Sequence, residues 1–105
     1  MFAVTTPTIE GHPIQQYFGM VTGEAIHGIN AIKDLGAGLT NVFGGRAQSY
    51  ENEIQSAYSE AVNEMMARAQ QMGANAVVGV KVDYFSLGSA NNMLAAIATG
   101  TAVRI

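Results

Sequence analysis

Residues Tyr50 to Phe85, YENEIQSAYSEAVNEMMARAQQMGANAVVGVKVDYF, decide how this chain folds. In the first part, apolar side chains recur at Ile54, Ala57, Tyr58, Ala61, Val62, Met65, Ala69 and Met72, the i, i+3, i+4, i+7 spacing of a helix with one buried stripe. The spacing predicts a helix from about Tyr50 to Met72. Ser49 is placed to cap its start, with Glu51 and Glu53 in the first turn, where the helix dipole favours negative charge. Gly73 supplies the left-handed residue that commonly ends a helix. The period then changes to two. Asn75 to Phe85 reads as a strand, with Ala76, Val78, Val80, Val82 and Tyr84 on one face and Val77, Gly79, Lys81, Asp83 and Phe85 on the other.

Working outward, Leu87 to Asn92 reads as a loop and Met93 to Ile105 as the last strand. Ile97, Val103 and Ile105 share one of its faces; Ala96, Ala98, Gly100 and Ala102 share the other. Upstream, Ile14 to Ile26 is a long β-branched and aromatic strand interrupted by Gly19 and Gly23. Phe2–Thr6 is a short strand, and Pro7 and Glu10-Gly11-His12-Pro13 make a turn. Asn30 to Phe43, with Ile32, Leu35, Leu39, Val42 and Phe43, fits a shorter helix, although Gly36 and Gly38 each cost about 1 kcal/mol there relative to alanine. The fold class that follows is α+β: a two-layer β-α-β-β arrangement with an antiparallel sheet, one long helix across it and a shorter helix. Residues 1–105 form a single domain, since no linker, charge run or repeat divides them.

Composition adds a partner: a second copy of the chain. Half of the residues are hydrophobic (49%) and only 12% are charged, against about 25% in a typical globular domain. A chain this small has a large surface for its volume, so a shortage of charge implies that some surface is shared. One helix also covers only one face of a sheet, and the Gly and Ala run on the last strand would admit another backbone; both point to a homo-oligomer.

Other classes are excluded. Lys33, Arg46, Arg68, Lys81 and Arg104 are scattered singly, without the clustered basic footprint that nucleic acid requires. The chain has no cysteine, hence no disulfide and no thiolate ligand or nucleophile. Its start lacks a basic leader. Met93 to Val103 is shorter than the roughly 20 residues that span a bilayer. The expectation is a cytoplasmic protein with no membrane and no nucleic-acid partner.

Four segments resemble the YbjQ-like family, a group labelled as heavy-metal-binding domains. They are Tyr17-Phe18-Gly19-Met20-Val21-Thr22-Gly23-Glu24, Gly44-Gly45-Arg46 with Ser49-Tyr50-Glu51, Gly73-Ala74-Asn75-Ala76-Val77-Val78-Gly79-Val80, and Gly100-Thr101-Ala102-Val103. They lie in order along nearly the whole chain. The resemblance implies a dodecin-like β-α-β-β subunit and, by analogy with family members, a ring, a pentamer. It implies little about activity.

Site candidates are few. With no thiolate, divalent-metal ligation falls to Glu24 and His27, which share a helix face but lie on opposite faces of a strand unless the strand ends near Ile26 and His27 curls back. Methionines at helical spacing, such as Met65 and Met72, read as core filler rather than copper ligands. Glu24, inside an apolar strand, requires a cation, which Arg46, Lys81 or Arg104 would supply. Gly45 and Arg46 at the start of the long helix, with Glu24, form a ligand or anion site in outline, although the spacing is not that of a phosphate loop and a tight turn whose arginine pairs with Glu51 or Glu24 is the better explanation. No Ser-His-carboxylate pattern or nucleophile elbow supports an enzyme. Tyr17, Tyr50, Tyr58 and Tyr84 could line a pocket but more often pack with one wet edge. Three readings remain in order: an oligomeric binding or scaffold module, a metal-ion binder with ligands near subunit borders, and an enzyme for a small ligand at the subunit interface.

Overall fold

The computed structural model describes residues 1–28, 46–87 and 93–105. The shorter helix expected over Asn30 to Phe43, the Gly44-Gly45 turn and most of the Leu87–Asn92 loop lie outside the described residues. Those described form a four-stranded sheet under one helix, in the order β1 (Phe2–Ala3), β2 (Gln16–Gly28), α1 (Arg46–Gln71), β3 (Ala76–Leu87) and β4 (Met93–Arg104). Across the sheet the order is β1-β3-β4-β2. The β3–β4 and β4–β2 pairs are antiparallel, as expected, but β1 runs parallel to β3, so the sheet is mixed.

The long helix starts earlier than its apolar stripe suggests. It opens at Arg46, which puts Ser49 inside the helix and leaves no acidic residue in the first turn. Ser49 is therefore no cap, and Glu51 and Glu53 sit one turn further in. The other end is as expected. Gly73 has φ of 100°, the Ala74 amide donates to Ala69 O at 3.1 Å and the Gly73 amide to Gln70 O at 3.0 Å. These are the paired bonds with which a left-handed glycine closes a helix. Arg104 adds a cation there, donating to the Gly73 carbonyl at 2.7 Å while lying over the Phe18 ring.

The core between helix and sheet is built mostly from alanine. Ala57, Ala61, Met65 and Ala69 are fully buried on α1, and they meet Val21, Ala25, Val77, Ala96, Ala98 and Ala102 from the strands. Tyr58 and Met72, which belong to the same helical pattern, are instead more than a third exposed at its margins. The Gly and Ala face of β4 thus packs against the chain's own helix, not another subunit. The approach is so close that a Cβ on Gly23 would lie 2.1 Å from Ala61 O and 2.4 Å from Met65 N. Only glycine fits there.

The opposite, outer face is covered at one end by the chain itself. Val4, Ile9 and Ile14 of the N-terminal segment pack over Ala76, Val78 and Val103, with Ile105 beside them. This corrects the expected alternation along β3. The pairing slips between Val78 and Lys81, so Gly79 and Val80 oppose a single residue of β4, with Gly79 at φ of 62°. Ala76 and Val78 therefore face outward, whereas Val77, Val80 and Val82 join the helix-side core. The bulge also ties down the N-terminal segment: the Gly79 amide donates to Thr6 O and the Val80 amide to Val4 O. Outside this cover the outer face stays open, with Tyr17 at 68%, Met20 at 88% and Ile26 at 59% exposure along the edge strand β2, and Phe85 and Met93 above 40%.

Candidate functional site

Along the seam between α1 and β2 lie two clusters of charge. Sheet alternation produces the first: Val21, Gly23, Ala25 and His27 point toward the helix, the first three into the core and His27 at the rim. Because β2 continues to Gly28, His27 is part of the strand and does not curl back toward Glu24. Its ring slots between two helix carboxylates instead. Nδ1 faces Glu53 and Nε2 faces Glu60, the latter at 2.6 Å. Glu53 and Glu60 are seven apart, two turns on one side of α1, and thus bracket one side chain of the neighbouring strand. Both ring nitrogens can donate only when the imidazole is protonated. The bond to Glu60, then that to Glu53, hold the His27 pKa above its usual value, against the opposing effect of burial.

The second cluster forms around the edge of the sheet. Glu24 points to the outer face, and Arg68 reaches over the rim to it: Nη1 donates to Glu24 Oε2 at 2.8 Å and to the Thr22 carbonyl at 3.0 Å. The Arg68 Nη2 meets Glu64, one helical turn back. The cation on Glu24 is therefore Arg68, not Lys81 or Arg104, and it comes from the helix packed on β2. Half-exposed pairs of this kind stabilise little individually. Their value is geometric, because two elements are held in one relative position.

The metal pair outlined in the sequence, Glu24 and His27, is thus divided between opposite faces of β2 and between separate partners. Among the described residues no group of three or more His, Cys, Asp or Glu side chains is arranged to hold a metal ion. The His27 cluster shows why: its two carboxylates occupy different ring nitrogens, whereas a metal takes one nitrogen and needs the other ligands on that same side. Of the anion site, Gly45 and the Arg46 side chain lie outside the described residues. His12 is exposed in the N-terminal turn, where its backbone amide donates to Ile9 O. Tyr84, on the helix side of β3, has its hydroxyl pKa raised by burial and by nearby Tyr58. Tyr17 lies on the outer face, so the tyrosines do not gather in one place.

Sequence reading missed Glu53, Glu60 and Arg68 as site residues. A signal was present in the spacing of Glu53, Glu60 and Glu64 beside the apolar stripe, and in the Glu64–Arg68 step of four. What no local pattern supplies is the strand that meets them, 26 to 46 residues away.

A family model described as "Putative heavy-metal-binding" matches residues 1–105. The chain belongs to the YbjQ-like family. YbjQ-like relatives include a "UPF0145 protein" of Bifidobacterium longum (strain DJO10A), 53% identical over 105 residues, covering 100% of this chain and 96% of the relative. Another, from Clostridium botulinum (strain Alaska E43 / Type E3), is 57% identical over 103 residues, 98% of this chain and 97% of the relative. The fold is also that of a crystal structure of a protein with unknown function of the DUF74 family from Pediococcus pentosaceus, with a TM-score of 0.63 at 16% identity over 100% of this chain and 97% of that one. The YbjQ-like family is uncharacterised in function, and its heavy-metal description rests on no cysteine in this member. Among the described residues no helix is long and apolar enough to cross a membrane.

Proposed function

We propose that this chain is the subunit of a homo-oligomeric binding or scaffold protein, a ring and by family resemblance a pentamer, whose ligand site is completed where subunits meet. The open half of the outer sheet face carries this reading. Met20, Ile26 and Tyr17 are all more than half exposed on one strand, with Phe85 and Met93 beside them. An apolar band of this kind on a chain with 12% charged residues is an association surface rather than a solvated one. Gly45 and Arg46, with Glu24, belong to the same reading as the ligand- or anion-binding residues expected from the sequence. Light scattering and native mass spectrometry of untagged protein test the assembly: a single mass several times that of one chain is expected. A well-folded monomer at high concentration would end this reading.

A second reading, a divalent-metal binder with Glu24 and His27 as ligands near subunit borders, is favoured by the family description. Since Glu24 and His27 face apart within one subunit, such a site would draw further ligands from a neighbour. Metal binding to the folded state raises the melting temperature with metal concentration. Thermal shift with divalent ions separates the two readings, because a scaffold without a metal site shows no saturable increase.

A further inference from the structure

We infer that subunits join edge to edge and head to tail, the free edge of β2 in one copy pairing with the distal half of β3 in the next. The inference rests on the oligomer reading above and adds which surfaces meet.

Among the described residues the sheet has two unpaired edges. β2 is hydrogen-bonded only to β4 along Gln16–Gly28. At the other side, β1 and the segment after it cover just the start of β3: pairing stops at Val77, and the last backbone bonds reach Gly79 and Val80. From Lys81 to Leu87, β3 is paired with β4 alone. Natural sheets blunt such edges with Pro, Lys, bulges or a cover. From Gly19 to Gly28, β2 has neither Pro nor Lys, and its one charged side chain besides His27 is Glu24, already held by Arg68.

Direction and chemistry favour these two unlike edges over two like ones. β2 and β3 both run antiparallel to β4, hence in the same direction. A rotation about an axis along the strands preserves that direction, so β3 of one copy meets β2 of the next in parallel, and the contact repeats until it closes. A symmetric β2–β2 contact would leave the β3 edge bare in both copies. The side chains next to the two edges are also alike where they must merge. Met20 and Ile26 line β2 and Phe85 lines β3 on the outer face, so joining the edges makes one apolar band. At the rims, Glu24 and Glu64 outnumber Arg68 on the β2 side, while the β3 side carries Lys81, three-quarters exposed, beside Asp83. Arg68 occupies one edge acceptor, the Thr22 carbonyl, which leaves the stretches on either side of it for pairing.

The absence of cysteine makes the test clean. Met20→Cys, Thr22→Cys, Glu24→Cys and Ile26→Cys are each combined with Asp83→Cys or Phe85→Cys, oxidised mildly, and run on a denaturing gel beside the single variants. Within one subunit the two positions are separated by β4, roughly 9–10 Å across two strand spacings, too far for a disulfide. At least one double variant is expected to give a covalent ladder ending at the mass of the native assembly, with the single variants staying monomeric. Dimers from a single β2 variant would replace the proposal with a symmetric contact. No ladder from any pair, in an assembly of unchanged native mass, would overturn it while leaving the oligomer intact. A monomeric native mass would instead remove the reading on which it rests.

Discussion

The two faces of this sheet are made differently. The helix side is closed mainly by small residues: Ala57, Ala61 and Ala69 on α1 against Gly23, Ala25, Ala96, Ala98 and Ala102, with Met65 and Val77 the largest side chains fully buried there among the described residues. The outer side uses larger residues and is only half closed, by Val4, Ile9 and Ile14, leaving Met20, Ile26, Phe85 and Met93 uncovered. Small residues bring two elements of one chain close enough that nothing else fits. Large residues left uncovered show where the chain's own means of burial end. The first face is finished within the subunit; the second is not.

The largest expected effect tests the tight face. Gly23→Val places side-chain atoms where Ala61 O and Met65 N already stand, so α1 must lift from the sheet. Overpacking costs about 1–3 kcal/mol where neighbours can yield, and backbone cannot yield much. A loss beyond about 3 kcal/mol, or failure to fold, is expected by urea denaturation. Met65→Ala follows, expected to cost about 2–5 kcal/mol by the same measurement, since it empties the one large buried site on the helix. An outcome near zero would mean that the alanine seam closes on itself.

The third prediction concerns pH. Because the His27 pKa is raised in the folded state, its contribution is fully present below the unfolded value of about 6.5 and is lost as pH rises through the folded value. Melting temperature should therefore fall across that interval, and His27→Gln should flatten the fall; an unchanged profile in the variant would separate His27 from it. The smallest effect on subunit folding belongs to Met20→Asp. For an exposed position it is expected within about 0.5 kcal/mol of wild type by denaturation of the dissociated chain, yet to lower the native mass. If Met20→Asp damaged folding as severely as Gly23→Val, the contrast between the faces would fail.

Much of this architecture is legible in the residues, and the illegible parts share a cause. The α1 stripe and its Gly73 stop, the Gly11 turn and the faces of β4 follow from periods of 3.6 and 2 and from glycine's backbone freedom. The helix start was misplaced because Arg46 to Tyr50 extend beyond the apolar stripe that marks the rest. The parallel β1–β3 pairing follows from a tertiary choice that a two-residue strand cannot announce. Alternation along β3 fails because one residue, Gly79, is added to the ladder. For the site, the residue types were readable and their partners were not: His27 and Glu24 stood out, whereas Glu60 and Arg68 matter only once α1 lies on β2.

The kink in β3 separates two jobs that a straight strand would have to share. Because Gly79 and Val80 stand opposite one residue of β4, excising Gly79 would leave Lys81 through Leu87 in their present alignment and facing. What would go is the Gly79 amide bond to Thr6, whereas the β1 pairing at Ala76 and Val77 and the Val4 amide bond to Val77 O precede the excised residue. A chain shortened by that single residue would thus keep its helix-side interior and the apolar cover over Ala76, Val78 and Val103, and lose only the tether at Thr6.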